Sequence, residues 1–118
     1  ADFLSLHTAF VPDLRHMISK KELEMMKKSA ILINASRGPI VDEDALADAL
    51  IENVIAGAAL DVYEFEPRVN DKLMDLDNVI LAPHLGNATF EARHEMGENA
   101  KDNLIDFKNG QNPKNKVN

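Results

Sequence analysis

Apolar residues in this chain are concentrated in four short runs, at positions 3–7, 30–34, 55–61 and 79–84. Within each run the apolar character is nearly continuous and does not alternate regularly with polar residues. Continuous runs of this length are typical of strands that are buried on both faces, as in a parallel sheet. Turn residues such as Gly38, Pro67 and Gly86 follow three of the runs. We therefore predict four strands of a parallel sheet with both faces covered.

Between these runs, apolar residues recur at spacings of three and four, which predicts helices. Ser19 and Glu22 have the spacing of a capping box ahead of the first helix, and Asp42 can cap the second. The longest helix is predicted to begin near positions 87–89 and to stop at Gly110. It is expected to bury an apolar stripe formed by Phe90, Met96, Ala100, Leu104 and Phe107.

The alternation of strands and helices predicts the class of fold. Parallel strands must be joined by crossover connections, which are right-handed in almost all proteins. A chain of 118 residues with this pattern is therefore expected to form an α/β domain with a doubly wound parallel sheet. The segment 109–118 is polar and is predicted to be a disordered tail or a linker.

Candidate functional residues follow the predicted strands. Ligands of open α/β sheets bind outside the carboxyl ends of the strands. The residues expected at those ends are His7, Ser36, Arg37, Asp61, Tyr63, Glu64, Glu66 and His84. An arginine, carboxylates and a histidine on one edge of a sheet indicate a site for a small anionic substrate.

Each of these side chains has a chemical use and a structural alternative. Arg37 can hold a substrate carboxylate or carbonyl with its planar guanidinium, or it can cap backbone carbonyls. His84 can act as a general acid near neutral pH, or it can be a turn histidine. Glu66 can favour the imidazolium form of His84, or the acidic loop of Glu64 and Glu66 can be solvated. His16 and His94 are expected at the surface.

Composition narrows the range of functions. The formal net charge of −7 disfavours nucleic-acid binding, because proteins that bind nucleic acids present a basic face. The chain has no cysteine, which excludes disulfide scaffolds, zinc ribbons and thiol nucleophiles. No apolar run approaches the roughly 20 residues that a membrane span needs. We expect a cytoplasmic protein without a membrane or nucleic-acid partner.

Several segments, taken in order, resemble the D-isomer-specific 2-hydroxyacid dehydrogenase family. They contain Asn-Ala-Ser-Arg-Gly at 34–38, Ala-Leu-Asp-Val-Tyr-Glu at 59–64 with Glu-Pro at 66–67, and Ala-Pro-His-Leu-Gly at 82–86. One such motif alone is weak evidence, but three linked motifs that each end a strand are specific. The resemblance extends over about residues 1–110 and implies the C-terminal half of the NAD-binding domain. Glyoxylate/hydroxypyruvate reductases and phosphoglycerate dehydrogenases are similar members.

The resemblance assigns roles to individual residues. It makes Arg37 the substrate-binding arginine, His84 the acid/base histidine and Glu66 its carboxylate partner, so that these three are the expected catalytic residues. Glu66 is preferred to Glu64 because it immediately precedes the proline. The residues expected to bind the cofactor are Thr8, Ala35, Ser36, Arg37, Asp61, His84 and Gly86. Asp61 is expected to contact the nicotinamide carboxamide, and no metal site is expected.

The resemblance also implies an activity. The family transfers a hydride between NAD or NADP and a small 2-keto or 2-hydroxy acid, and its members usually form homodimers. An alternative of a different class is a non-catalytic regulator, similar to a corepressor, that senses NAD(H) on the same scaffold. The cofactor is therefore expected to be NAD or NADP, and the partner a small acid substrate.

The glycines indicate that part of such a fold is absent from this sequence. A dinucleotide-binding fold carries a G-x-G-x-x-G turn, and no two of the five glycines here have that spacing. We therefore expect a partial Rossmann-type sheet that lacks its first βαβ half. Part of the apolar face of the last helix, for example Phe90 or Phe107, is then expected to lack its usual cover. Residues 1–108 are predicted to be the C-terminal part of a nucleotide-binding domain ending in a long helix, and 109–118 a polar tail. The isolated chain is expected to be inactive.

Overall fold

A computed structural model of the protein describes residues 1–117, so Asn118, the end of the predicted tail, lies outside the described residues. The chain divides into two compact units, Ala1–Gly86 and a second one from Asn87 onward. The first unit contains four strands: β1 (Phe3–Leu6), β2 (Ile31–Asn34), β3 (Gly57–Leu60) and β4 (Val79–Leu81). Its helices are α1 (Lys20–Glu24), α2 (Glu43–Ile51) and α3 (Asp71–Met74), and α4 (Phe90–Lys108) lies in the second unit.

The four strands form one parallel sheet in the order β1-β2-β3-β4. All four predicted runs contain a strand, and the prediction of an α/β fold with a parallel sheet is confirmed. The strands are shorter than the apolar runs, because the ends of the runs continue into the loops. Because the strands are parallel, all four end at the same edge of the sheet, which we call the carboxyl edge.

One face of the sheet is covered by the helices and holds the hydrophobic core. Its middle row is formed by Leu4, Leu32, Ala58 and Val79, which are partners in register across the four strands. Leu32 is fully buried, as are Leu23 of α1, Leu46 and Leu50 of α2, and Leu73 of α3. Burial of these side chains is the main source of stability in this unit.

The opposite face of the sheet is open. Side chains alternate between the two faces of a strand, so the neighbours of the core residues point to this face. Phe3 is 66% exposed and Ile80 is 71% exposed, whereas Ile33 is partly buried. The expectation that both faces are covered is therefore wrong for the described residues. A continuous apolar strand has two faces that can be buried. The pattern does not show which surface covers each face.

The helices α1, α2 and α4 begin at the positions that the sequence predicts for their starts. The backbone N–H of Ser19 donates to the Glu22 carboxylate at 3.2 Å, which is the return half of a capping box. Asp42 caps α2 by accepting from the N–H of Ala45 at 3.1 Å. The hydroxyl of Thr89 caps α4 by accepting from the N–H of Ala92, also at 3.1 Å.

In the second unit, α4 ends just before Gly110, whose positive φ of 72° fits the predicted stop. No residue of α4 is buried, and Phe90 is 83% exposed. The expectation of a buried stripe on this helix is therefore wrong for the described residues, and the exposure of Phe90 and Phe107 agrees with the expectation that part of this face lacks its usual cover. Among residues 1–117, no helix has the length and hydropathy needed to cross a bilayer.

Candidate active site

Asn34, the last residue of β2, shapes the loop that carries Arg37. Its side chain is buried; its Oδ1 accepts from both the N–H and the hydroxyl of Ser36, and its Nδ2 donates to the Arg37 carbonyl at 3.1 Å. These bonds satisfy a buried amide and fix the turn that follows the strand. Arg37 itself is exposed, and its Nη1 donates to the Ser36 carbonyl at 2.6 Å.

Asp61, the residue after β3, holds the loop that follows β4. Its two carboxylate oxygens accept from the N–H groups of Leu85 and Gly86, each at 2.7 Å. A Cβ added at Gly86 would lie 3.0 Å from the Asp61 carboxylate, so a larger residue would require this carboxylate to shift by a few tenths of an ångström. The carboxyl ends of β3 and β4 are therefore joined by hydrogen bonds from the backbone of the second loop to the Asp61 side chain.

Glu66 and His84 form a hydrogen-bonded pair at this edge. His84 Nδ1 lies 3.0 Å from Glu66 Oε2, and the other oxygen, Oε1, accepts from the N–H of Tyr63 at 3.0 Å. The hydrogen bond from His84, followed by that from Tyr63, holds the pKa of Glu66 below its ordinary value, and the charge of Arg37 adds to the effect. Glu66 is therefore ionised near neutral pH and can only accept, so His84 Nδ1 carries the proton.

His84 has an unusual backbone conformation. Its φ of 55° lies in the left-handed region, which non-glycine residues seldom adopt and which costs free energy. The Asp61 contacts that follow it and the Tyr63 hydroxyl bond to the Ala82 carbonyl at 2.8 Å hold the segment in place. Residues in such conformations cluster at functional sites, where the surrounding structure enforces them.

A cavity of about 550 Å³ opens beside this pair. Its lining combines Glu66 and His84 with apolar side chains such as Pro67, Val69 and Leu81. Small-molecule sites have this composition, in which a few polar groups converge within a mostly apolar wall. A second cleft of about 600 Å³, lined by Glu43, Glu64, Arg68 and others, shares only Val69 with the first.

The other residues expected at the site differ in their surroundings. Thr8 is exposed, and its hydroxyl donates to the Ala9 carbonyl. Ala35 and Asp61 line a shallow depression of about 110 Å³ at the carboxyl edge. Ser36 is buried with its hydroxyl bonded to Asn34, so its hydroxyl supports the loop. His7 bonds to Ser5 within its own strand segment, at 2.7 Å.

Sequence reasoning missed the surroundings of Glu64 and His16. The Glu64 side chain is only 5% exposed and lies 2.9 Å from His16 Nε2, and it also pairs with Arg15. The Glu64 side chain is therefore not solvated, which was the structural alternative for this loop, whereas the His16 side chain is 35% exposed and lies partly at the surface. The contact spans 48 positions in sequence, so no local pattern could reveal it. The only signal of this contact in the sequence was the presence of a basic pair, Arg15-His16, and of a loop rich in carboxylates.

Comparison with known proteins defines the class. The family model described as "D-isomer specific 2-hydroxyacid dehydrogenase, NAD binding domain" matches residues 1–86. A Staphylococcus saprophyticus protein whose name assigns it to the 2-hydroxyacid dehydrogenases is 53% identical over 114 residues, which are 97% of this chain and 36% of that protein.

Two crystal structures are similar as well. An NADPH-dependent glyoxylate/hydroxypyruvate reductase from Sinorhizobium meliloti, in complex with NADP and malonate, matches with a TM-score of 0.85 and 36% identity, over 90% of this chain and 33% of that one. A D-lactate dehydrogenase from Lactobacillus jensenii with NAD⁺ also has a TM-score of 0.85, with 37% identity, over 100% of this chain and 40% of that one.

The fold, the edge of charged residues and these matches define an NAD-binding α/β domain of Rossmann type. The chain belongs to the D-isomer-specific 2-hydroxyacid dehydrogenase family and carries sequence of its NAD-binding domain. It spans about a third of the length of the curated relatives that it matches.

Proposed function

We propose that the protein carrying this chain is an oxidoreductase that transfers a hydride between NADH or NADPH and a small 2-keto acid, or runs the reverse oxidation. Arg37, Glu66 and His84 are its catalytic residues in this proposal. Residues 1–108 would be the C-terminal part of the nucleotide-binding domain, and 109–118 a polar tail. The activity, the substrate and the partners are those of the whole protein.

The pair formed by His84 and Glu66 is the observation that carries this proposal. Because Nδ1 of His84 donates to an ionised Glu66, Nε2 is the nitrogen left to face a substrate. In the reduction, a protonated His84 would give the Nε2 proton to the carbonyl oxygen as the carbonyl carbon receives a hydride. Glu66 would stabilise the positive charge that the ring carries before the transfer and fix the orientation of the ring.

Arg37 is suited to bind the acid group of the substrate. Its guanidinium has five N–H donors in a planar fork, and the Ser36 carbonyl accepts from Nη1. The remaining donors can hold a carboxylate or an adjacent carbonyl in a bidentate manner. The charge of Arg37 also acts on the Glu66 carboxyl, which supports placing the anion near the pair.

The carboxyl edge fits the nicotinamide end of a dinucleotide. Small side chains, among them Ala35, Ala59 and Ala82, line the depression beside Asp61 and leave room for a flat ring. Thr8, Ala35, Ser36, Arg37, Asp61, His84 and Gly86 are the residues proposed to border the cofactor. When bound, the reduced nicotinamide supplies the hydride, and the protein supplies the proton and the orientation.

We also make a proposal for the cellular location and the oligomeric state of the whole protein. The relatives named above act on or are bound to small acids or nicotinamide dinucleotides, and none of these ligands requires a membrane or nucleic acid. We propose a cytoplasmic protein that forms a homodimer at full length. Gel filtration with light scattering on the full-length protein would measure the mass, and a monomer would contradict the dimer.

Oxidation of NADH and NADPH by the full-length protein, measured with a series of 2-keto acids, tests the function. The proposal expects turnover with at least one acid and its collapse in His84→Ala. A folded protein that binds NADH but turns over no acid would contradict the reductase. It would favour the alternative, a regulator that senses NAD(H).

The 118-residue chain by itself is expected to be inactive and to bind the cofactor weakly. Backbone amides of a glycine-rich turn hold the pyrophosphate in dinucleotide-binding folds, and the glycines here lack the required spacing. Fluorescence titration with NADH measures the binding directly. Turnover of NADH by the isolated chain would contradict this expectation.

A further inference from the structure

Two glutamates of the loop 61–68 form contacts with different parts of the chain. Glu66 is half-exposed and faces His84 at the carboxyl edge. Glu64, two positions earlier, has a buried side chain whose Oε1 contacts Arg15 Nη2 and His16 Nε2. The function proposed above uses Glu66 and leaves the contacts of Glu64 unexplained.

Arg15 and His16 are themselves fixed by other segments. The N–H of His16 donates to the Pro39 carbonyl at 2.8 Å, and its φ of 54° lies in the left-handed region. Its Nδ1 is 3.7 Å from Asp42 Oδ2, an oxygen that also accepts from the Ser19 hydroxyl. Burial raises the pKa of Asp42, but hydrogen bonds from Ala45 and Ser19 and the charge of His16 outweigh it, so the pKa lies below its ordinary value.

The backbone of the same loop is also held. The N–H of Glu64 donates to a carboxylate oxygen of Glu43, which is itself buried. Gly38 packs so closely that a Cβ there would lie 1.9 Å from the Tyr63 carbonyl oxygen. The loop is therefore fixed at Tyr63 and Glu64, immediately before Glu66 and next to the Tyr63 N–H that Glu66 accepts from.

We propose that Arg15 and His16, acting through the Glu64 carboxylate, position Glu66 against His84. This inference rests on the proposed function and adds two positioning residues that contact neither substrate nor cofactor. Together with the Glu43 bond and the Gly38 contact, their contacts with Glu64 set where the backbone of the loop lies. That backbone supplies the Tyr63 N–H that holds one oxygen of Glu66 while His84 holds the other.

Two other uses of this cluster fit less well. Metal binding needs at least three suitably arranged ligands, and no such group of His, Cys, Asp or Glu occurs among residues 1–117. Simple stabilisation by an exposed ion pair is weak, because such pairs are worth about 0–1 kcal/mol. The Glu64 carboxylate is buried, however, and a buried charge left without a partner is strongly destabilising, so we expect the loop to shift when both partners are removed.

The test uses the full-length protein, three substitutions at Arg15 and His16, and one control substitution. Arg15→Gln removes the charge, and His16→Asn removes the ring but keeps a residue that tolerates the left-handed backbone. Arg15→Lys is the conservative variant that keeps a charge able to reach Glu64. Lys72→Gln is the matched control, because the half-exposed ion pair of Lys72, at 2.8 Å, is with Asp48 of α2 and not with a residue of the loop 61–68.

Turnover separates positioning from substrate binding. We expect kcat to fall about tenfold in Arg15→Gln and His16→Asn and up to roughly a hundredfold in the double variant, the range for misplacement of a catalytic group by about 1 Å. KM for NADH should stay unchanged, Arg15→Lys should recover most of kcat, and Lys72→Gln should match the wild type. Unchanged kcat in a folded Arg15→Gln/His16→Asn protein would overturn the proposal.

A second readout does not depend on turnover. The carboxyl carbon of Glu66, followed by NMR as the pH changes, should titrate at a higher pH in Arg15→Gln/His16→Asn, because its hydrogen bonds to His84 and Tyr63 are lost. An unchanged Glu66 titration would show that the pair is positioned without Arg15 and His16. If the wild type turns over no acid, the proposed function fails, and this titration still decides the positioning.

Discussion

The covered face of the sheet and the carboxyl edge of the same sheet are stabilised in different ways. The covered face consists of fully buried apolar side chains such as Leu23, Leu32 and Leu46. At the carboxyl edge, Arg37 and His84 are exposed, and hydrogen bonds to backbone groups hold the loops. Stability therefore depends mostly on the covered face, and the proposed chemistry depends on the carboxyl edge. Substitutions at the edge should impair activity with little effect on folding, and substitutions on the face should do the reverse.

His84→Ala should produce the largest effect on activity. Loss of a general acid lowers turnover by about 10²–10⁴-fold. The side chain is half-exposed, so the midpoint of thermal unfolding should change little. Steady-state kinetics and calorimetry on the same full-length sample measure both quantities. A large drop in the unfolding temperature would contradict the claim that the carboxyl edge contributes little to stability.

Leu32→Ala tests the other region. Leu32 is fully buried in the middle row of the covered face, and truncation of such a leucine costs about 2–5 kcal/mol of unfolding free energy. Ile80→Ala is the control on the open face, where an exposed side chain should cost no more than about 0.5 kcal/mol. Urea unfolding of the 118-residue chain compares the two variants. Equal losses would mean that the two faces are equally covered.

Arg37→Lys tests how the edge binds an acid. Lysine keeps the positive charge but lacks the planar fork, so one of two charge-assisted hydrogen bonds to the substrate should be lost. Such bonds contribute about 1.5–3 kcal/mol, which corresponds to roughly one to two powers of ten in affinity. KM for the keto acid should rise by that amount, while KM for NADH stays close to the wild-type value. An unchanged KM for the acid would remove Arg37 from substrate binding.

The smallest expected effect is the pH dependence of stability through Glu66. Its pKa is lowered in the folded protein by the hydrogen bonds from His84 and Tyr63. A lowered folded pKa contributes stability above the unfolded pKa, and this contribution is lost as the pH falls through the folded value. The free energy of unfolding of the wild type should therefore be slightly larger than that of Glu66→Gln at neutral pH. The difference should vanish as the pH falls below the ordinary pKa range of glutamate. A difference that grows toward acid pH would have the wrong sign.

The sequence predicted the four strands and the helices α1, α2 and α4 because those signals are local, but it did not predict the short helix α3. Continuous apolar runs marked all four strands, and Asp42 and Thr89 lie where helices begin. The resemblance also selected Glu66 rather than Glu64, and the two glutamates do have different partners. The assigned roles of the site residues remain predictions.

What the sequence could not predict depends on contacts between distant positions or on whether an apolar surface is covered. The pairing of His16 with Glu64 joins segments far apart in the chain, and the bonds from Leu85 and Gly86 to Asp61 do the same. The apolar residues of α4 and of the open face, such as Phe90 and Ile80, have a pattern suited to burial, yet they are exposed here. A hydrophobic pattern predicts which side can be buried, and the covering surface must be known separately.

The central claim is that Glu66 and His84 act as one catalytic unit at the carboxyl edge. A double-mutant cycle on kcat/KM, using Glu66→Gln, His84→Ala and the combined variant of the full-length protein, measures their coupling directly. Because Glu66 acts only through His84, the combined variant should be no slower than His84→Ala alone. If the effects of the two substitutions multiply instead, the residues act independently and the account of the pair is contradicted.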